Sequence, residues 1–106
     1  MTGRIIGTGS YVPERIVTNE ELAGVVETSD EWIVSRTGIH ERHIAETEGT
    51  SILASRAAKR ALENAKVAAE EIEFILLATS SPDHCFPNGA CEVQAAIGAV
   101  HAMAFL

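Results

Sequence analysis

A short run at residues 74–79, Phe-Ile-Leu-Leu-Ala-Thr, is apolar on both of its alternating faces. Buried strands of parallel sheets have this pattern, because helices cover both faces of such a sheet. Parallel strands also need crossover connections, which are usually helices. The run therefore predicts an α/β fold with parallel pairing. The apolar residues 102–106 are expected to begin a further strand.

One helix is predicted before this strand in the sequence and another after it. The first spans about residues 50–66. A stripe of small side chains runs along it: Ala54, Ala58, Ala61 and Ala65. Such a stripe favours close packing against a flat partner, most simply a sheet. The second helix has Pro87 in its first turn and ends at Gly98. Its inward residues are expected to be Val93, Ala96 and Ile97.

The N-terminal part predicts a strand followed by a short helix. The strand begins at Ile5 and ends in a glycine-containing turn before Pro13. Thr18 and Glu21 have the spacing of a capping box, in which each side chain bonds the backbone amide of the other residue. The helix that they begin is expected to take its apolar face from Leu22, Val25 and Val26.

The same spacing recurs at Thr28 and Glu31, which predicts a second short helix that runs to about Arg36 and ends at Gly38. Trp32 and Arg36 are four residues apart and therefore face one side of this helix. They could hold a nucleotide-bearing ligand, by stacking of the indole and by charge-assisted hydrogen bonds to phosphate. The alternative is a core tryptophan with a surface arginine packed on it, and the spacing alone favours this alternative.

The composition is that of a globular protein, with 46% hydrophobic residues and a formal net charge of -7. This charge argues against a nucleic acid or an acidic membrane as partner, because no basic face is available to phosphates. No apolar run approaches the roughly 20 residues that cross a bilayer, and no signal peptide is visible. We expect a cytoplasmic protein whose residues 1–106 belong to one domain.

Cys85 and Cys91 lack the spacing of a disulfide framework or of a zinc site. Together with His84 and His101 they could be assembled into a ligand set, but the spacings fit no usual zinc pattern, so no metal is expected. Cys91 falls on a helix face rich in alanine, where a small buried thiol is common. A nucleophilic cysteine needs an accessible, electropositive setting, so neither residue is expected to be catalytic.

Several segments, in order along the chain, resemble β-ketoacyl-acyl carrier protein synthase III, a family of condensing enzymes. In the first half they are residues 5–13 (IIGTGSYVP), 28–33 (TSDEWI), 36–39 (RTGI) and 41–43 (ERH). Further on they are residues 78–83 (ATSSPD), 86–87 (FP) and 91–94 (CEVQ). The resemblance covers essentially the whole chain, and the stretch 28–38 is its most specific part.

The resemblance implies the thiolase fold, with residues 1–106 as the first, incomplete part of its N-terminal half. Family members are homodimers that start fatty-acid synthesis. A cysteine accepts an acyl group from acyl-coenzyme A, and a malonyl group on acyl carrier protein then condenses with it as carbon dioxide is lost. In the family this cysteine follows the Ala-Phe that matches Ala104-Phe105, and a histidine and an asparagine lie in the C-terminal half. The chain is therefore expected to contain no catalytic residue and to be inactive alone.

The resemblance also implies roles for four residues. Thr28, Trp32 and Arg36 would hold the adenine end of coenzyme A, which reverses the preference for a core tryptophan. Phe86 would reach across the dimer and line the acyl pocket of the partner subunit, where it would affect the size of the primer. No cofactor is implied, since the coenzyme A thioester is a substrate. Leu106 departs from the family, which usually has an acidic residue after the Ala-Phe.

Two alternatives stay open at this point. One is another condensing enzyme of the thiolase superfamily, acting on a quinolone, polyketide or similar starter. The other is a small binding or assembly module that holds coenzyme A or acyl carrier protein, or that only dimerises. The apolar end at Leu106 favours a piece of a larger domain over such a module, which would be expected to fold alone as a soluble monomer.

Overall fold

The computed structural model describes residues 2–106, which form two compact units. Val12–Thr47 make up the smaller unit, and residues 2–11 together with Glu48–Leu106 make up the larger one. The described chain has two two-stranded sheets, one in each unit. No helix among residues 2–106 is long and apolar enough to span a membrane.

The smaller unit is a pair of antiparallel strands with two short helices between them. Its elements are β1 (Arg15–Thr18), α1 (Asn19–Ala23), α2 (Asp30–Thr37) and β2 (Glu41–Ile44). The strands pair so that Arg15 lies opposite Ile44. The buried apolar side chains of this unit are Val17 of β1 and Ile33 of α2. Neither strand was predicted from the sequence, because four residues with several charges lack a clear alternating pattern.

Helix α2 begins and ends at residues whose backbone favours a helix boundary. Ser29 has an extended backbone, and its hydroxyl accepts a hydrogen bond from the backbone N–H of Trp32 at 3.1 Å. Gly38 ends the helix with a φ of 72°, in the predicted left-handed conformation. The prediction that Thr28 caps this helix is wrong, because the extended Ser29 directly after it takes the capping position.

Helix α1 is shorter than the sequence predicts. The Thr18 hydroxyl accepts a hydrogen bond from the backbone N–H of Glu21 at 3.2 Å, as expected. The Glu21 carboxylate accepts a hydrogen bond from Arg15 at 2.9 Å instead of completing the capping box, because a guanidinium is a stronger partner than an amide. The helix has only five residues, so Val25 and Val26 lie beyond it and are exposed. Their prediction as an apolar helix face is therefore wrong.

The larger unit combines two helices with a pair of parallel strands. Its elements are α3 (Thr50–Ala65), a 3₁₀ turn (Ala69–Glu71), β3 (Phe74–Leu76), α4 (Gly89–Ile97) and β4 (Met103–Phe105). Strands β3 and β4 are parallel, and the rings of Phe74 and Phe105 stack with their centroids 4.9 Å apart. The predicted parallel pairing, the last strand and the long helix are thus confirmed. The buried apolar residues of this unit are Ala90, Val93 and Ala99.

Four predicted details of the larger unit are wrong. The segment around Ile5 is not a strand, because neither two-stranded sheet includes it. Pro87 lies before the α4 cap, which is Asn88, and so it is outside the first turn. Ala96 is exposed because it borders an open groove. The strand predicted over residues 74–79 ends at Leu76, and both Phe74 and Leu76 are exposed rather than buried, because no segment among residues 2–106 covers that side of β3.

The segment that contains Gly7 lies directly on α3. A Cβ atom built on Gly7 would be 2.6 Å from the Cβ of Ala65 and 2.8 Å from its backbone nitrogen. Gly9 approaches the backbone at Ala61 in the same way. Glycine is therefore required where the segment meets the helix. The predicted close packing of the alanine stripe is confirmed, but helix α3 packs on this segment and on α4 rather than on a flat sheet.

The variant Gly7→Ala is expected to lower the free energy of unfolding by about 1–3 kcal/mol, the usual cost of overpacking. The added methyl group would overlap the backbone of α3, which cannot move without disturbing its contacts with α4. Urea denaturation followed by circular dichroism measures this change. Gly3→Ala is the matched control, because a Cβ at Gly3 would meet nothing within 4 Å. Equal stability of the two variants would contradict the close approach.

Candidate functional site

Helix α2 presents an aromatic ring and a guanidinium side by side. The guanidinium carbon of Arg36 lies 4.7 Å from the centroid of the Trp32 ring, a cation–π contact. Trp32 is 53% exposed, so the alternative of a core tryptophan is wrong for the described part of the chain. Arg36 forms no ion pair within residues 2–106, which leaves its N–H donors available to a ligand.

An open depression of about 280 Å³ lies at the N-terminal end of α2. Its lining residues are Glu27, Thr28, Ser29 and Trp32. Since Ser29 caps the helix, the Thr28 hydroxyl is not used as the cap and can bond a ligand in the depression. The smaller unit therefore brings together two of the predicted binding residues, Thr28 and Trp32, and places the third, Arg36, against the indole ring.

The buried side chain of Asn19 ties both ends of α2 to the rest of its unit. Its Nδ2 donates to Oδ1 of Asp30 at 2.8 Å and to the carbonyl of Ile39 at 2.8 Å. Its Oδ1 accepts a hydrogen bond from Nη2 of Arg42 at 2.8 Å, and Nη1 of Arg42 donates to the carbonyl of Val17 at 3.2 Å. Sequence reasoning missed this residue, because one asparagine at the start of a five-residue helix gives no pattern.

Phe86, the fourth predicted site residue, lies in the larger unit. Its side chain is 92% exposed on the loop between β3 and α4. The loop is nevertheless held at several points. Oδ1 and Oδ2 of Asp83 accept hydrogen bonds from the backbone N–H groups of Thr50 and Ser51, at 2.9 and 3.0 Å. Asn88 caps α4 through the amide of Cys91 at 3.0 Å.

The ionisable groups of this loop have shifted pKa values. The amide donors of Ser51 and Thr50, at the start of α3, lower the pKa of Asp83. Nδ1 of His84 lies 2.9 Å from Oε1 of Glu92, and this hydrogen bond raises the pKa of His84 and lowers that of Glu92. The loop that carries Phe86 is thus linked to α3 through Asp83 and to α4 through His84.

The cysteines do not form a reactive or metal-binding centre among residues 2–106. Cys85 is exposed and Cys91 is half-buried, and both are free thiols. His84, the nearest candidate base in sequence, bonds Glu92 instead of a thiol. No group of three or more histidine, cysteine, aspartate or glutamate side chains in the described chain could hold a metal ion.

Over most of its length the chain is similar to proteins named synthase III. A β-ketoacyl-[acyl-carrier-protein] synthase III of Clostridium acetobutylicum is 57% identical over 101 residues, which are 95% of this chain and 31% of that protein. The crystal structure of 3-oxoacyl-[acyl-carrier-protein] synthase III from Aquifex aeolicus superposes with a TM-score of 0.91 at 50% identity, over 95% of this chain and 33% of that one. No protein-family model matches the sequence.

The predicted resemblance to synthase III is confirmed. The structure is accordingly part of the thiolase-like fold of synthase III. The chain spans about a third of the length of the synthase III relatives that it matches. It is also similar to the priming β-ketosynthase of the R1128 polyketide pathway, with a TM-score of 0.91 at 35% identity over 97% of this chain and 31% of that one.

The His84–Glu92 pair is expected to make stability depend on pH. His84 has a raised pKa, so its contribution is complete below pH 6.5, its ordinary pKa, and is lost as pH rises through the raised value. Glu92 has a lowered pKa, so its contribution is complete above pH 4.5 and is lost as pH falls through the lowered value. The pair therefore stabilises most between pH 4.5 and 6.5.

Urea midpoints of the unsubstituted chain and of Glu92→Gln measure this effect. The difference between them is expected to be largest in that window and to shrink at alkaline pH, because neutral His84 no longer attracts the carboxylate. Glu70→Gln is the control, since Glu70 is an exposed carboxylate in the 3₁₀ turn. A difference between the chain and Glu92→Gln that does not change with pH would contradict the assignment.

Proposed function

We propose that the chain is part of a condensing enzyme that starts fatty-acid synthesis, and that it contributes part of the coenzyme A site. The observation that carries this proposal is the exposed Trp32–Arg36 pair beside the depression at Thr28. The relatives named β-ketoacyl-[acyl-carrier-protein] synthase III, at 50–57% identity, support the same function.

The chemistry of these side chains suits the nucleotide end of coenzyme A. An indole offers a flat surface on which adenine can stack. A guanidinium without a carboxylate partner can donate two parallel hydrogen bonds to a phosphate. Thr28 adds a hydroxyl that can donate to or accept from the base. Stacking, charge and a hydrogen bond would together select a phosphorylated adenine nucleotide over an uncharged aromatic ligand.

In the proposed reaction, a cysteine thiolate attacks the acyl-coenzyme A thioester, and coenzyme A leaves as its thiol. Malonyl-acyl carrier protein then loses carbon dioxide, and the resulting enolate attacks the enzyme-bound acyl group. The new carbon–carbon bond gives a 3-oxoacyl-acyl carrier protein and frees the cysteine. The role of this chain is to bind and orient the first substrate by its nucleotide end, away from the reacting thioester.

The nucleophile is proposed to lie outside this chain. Such a cysteine needs a nearby positive charge or a helix N-terminus to stabilise its thiolate. Among residues 2–106, neither Cys85 nor Cys91 contacts a side chain that could act as its base. The backbone N–H of Cys91 donates to the cap residue Asn88, so this amide at the start of α4 is not available to stabilise a thiolate.

We also propose that Phe86 belongs to a homodimer contact and to the acyl pocket of the partner subunit. A phenylalanine that is 92% exposed on a loop held by Asp83 and Asn88 is suited to insert into another surface. Ordering such a loop on binding would cost little conformational entropy, because hydrogen bonds already fix it.

A second condensing function has specific support. The priming β-ketosynthase of a polyketide pathway matches the structure as well as the synthase III from Aquifex aeolicus does, with a TM-score of 0.91 for each. Identity is 35% for the ketosynthase and 50% for that synthase III, so the fatty-acid function is favoured. The coenzyme A site proposed here would serve either function, and the two would differ in the acyl starter.

Arg36→Met is expected to weaken the binding of adenosine 3′,5′-bisphosphate roughly tenfold to a hundredfold. Hydrogen bonds to charged groups contribute about 1.5–3 kcal/mol, which corresponds to this range. Quenching of Trp32 fluorescence measures the affinity, because Trp32 is the only tryptophan. Adenosine, which lacks phosphate, should lose no affinity in the variant and can bind more tightly, because it no longer has to displace the guanidinium from the Trp32 ring. Lys59→Met, which removes a cation from the other unit, is the control. Equal affinity of Arg36→Met and the unsubstituted chain for the bisphosphate would contradict the site.

Phe86→Ala is expected to raise the dimer dissociation constant of the polypeptide that carries this chain by roughly tenfold or more, as loss of an aromatic interface anchor does. It should also broaden acceptance of longer acyl primers. Sedimentation and primer competition measure the two effects. Val25→Ala, at an exposed apolar residue of the other unit, is the control. An unchanged dimer with unchanged primer preference would show that Phe86 has neither role.

A further inference from the structure

Asn19 is the one large side chain among residues 2–106 that is completely buried, and it is polar. All its hydrogen bonds have short donor–acceptor distances. Three side-chain bonds measure 2.8 Å each, and its backbone N–H donates to the carbonyl of His40 at 3.1 Å. A buried amide is tolerated only when it is fully bonded, so these contacts define one position for each partner.

The partners of Asn19 bracket helix α2. Asp30 is the first residue of the helix, and Ile39 directly follows Gly38, the residue that ends it. Arg42 of β2 orients the Asn19 amide from the other side. One buried carboxamide therefore fixes the helix at both ends relative to the strand pair.

Helix α2 depends on these ties because it has few others. It has eight residues, a length at which an isolated helix is not stable in water. Ile33 is its only buried residue. A single apolar anchor leaves rotation about the helix axis poorly defined, whereas polar bonds at both ends define it. The direction in which Trp32 and Arg36 point is set by that rotation.

We infer that Asn19 is a positioning residue for the binding of coenzyme A, an inference that rests on the proposed function. Asn19 is inaccessible to any ligand, so its effect must pass through Asp30 and Ile39 to the orientation of α2. Loss of its side-chain hydrogen bonds leaves Trp32 and Arg36 unchanged as residues but allows the helix that carries them to adopt several orientations. Binding then has to restrict these orientations, which lowers affinity.

The test measures the dissociation constant of the 106-residue chain for coenzyme A itself, by quenching of Trp32 fluorescence. Asn19→Leu removes all the side-chain bonds, and Asp30→Ala removes only the tie to the start of α2. Asp30→Asn keeps an oxygen that can accept from Asn19, and so it is the conservative variant. Gln94→Met is the matched control in the larger unit, where Nε2 of Gln94 donates to the carbonyls of Ala99 and Ala102.

We expect Asn19→Leu and Asp30→Ala to bind coenzyme A about tenfold more weakly, equivalent to about 1.4 kcal/mol. Asp30→Asn and Gln94→Met should bind as the unsubstituted chain does. The anisotropy of Trp32 fluorescence should fall in the two weak binders alone, and circular dichroism of the same samples distinguishes this local change from loss of the folded state. If Asn19→Leu does not fold, as judged by circular dichroism, the comparison of the two Asp30 variants decides the question.

The outcomes separate this inference from the proposed function. If Arg36→Met weakens binding while Asn19→Leu and Asp30→Ala do not, Asn19 has no positioning role and the proposed function stands. If Asp30→Asn loses as much affinity as Asp30→Ala, the charge of Asp30 matters rather than its tie to Asn19, and the inference is overturned. If the chain alone does not bind coenzyme A, the same variants are compared in the polypeptide that carries it. If Arg36→Met binds coenzyme A as tightly as the unsubstituted protein there, the proposed function fails and the inference with it.

Discussion

Side-chain hydrogen bonds to distant segments hold both units in shape, because the apolar core within residues 2–106 is small. Its buried hydrophobic members are Val17, Ile33, Ala90, Val93 and Ala99. Apolar burial of this extent favours compactness but defines few orientations. Asn19 supplies orientation in the smaller unit, and Asp83 does so in the larger one by bonding the first amides of α3. Each is a single residue that serves two or more elements, so the units depend on a few polar contacts.

The presence and approximate ends of the longer helices were predictable from the sequence because their signals are local. The approximate bounds of α3, the left-handed end of α2 at Gly38 and the end of α4 at Gly98 follow from short patterns. The pairing of β3 with β4 was predictable because Phe74 begins a continuous apolar run, whereas β1 and β2 were missed because their residues lack a clear apolar pattern. The expected strand at Ile5 failed for the converse reason, because an apolar segment becomes a strand only when a partner strand bonds it.

The site was predictable only where side-chain type carries the chemistry. The spacing of Trp32 and Arg36 indicated a shared helix face, and the structure shows their contact. Spacing alone favoured a buried indole, and the resemblance to synthase III was needed to reverse that preference. The network around Asn19 could not be read from the sequence, because its members come from four separate segments. The importance of Asn19 follows from the complete burial of its side chain, which only the folded chain reveals.

The stacking of Arg36 on Trp32 has a further consequence for the proposed binding of a nucleotide. An exposed indole normally promotes non-specific association, because it leaves a large apolar surface in contact with water. Here the Arg36 guanidinium covers one face of the ring, with its carbon 4.7 Å from the ring centroid. An uncharged apolar molecule would have to displace that cation without replacing its electrostatic attraction to the ring. A nucleotide can instead keep the cation nearby through its phosphate. At the proposed site, Arg36 would therefore favour a ligand that carries its own negative charge, because only such a ligand could replace the ring as partner of the guanidinium at little cost.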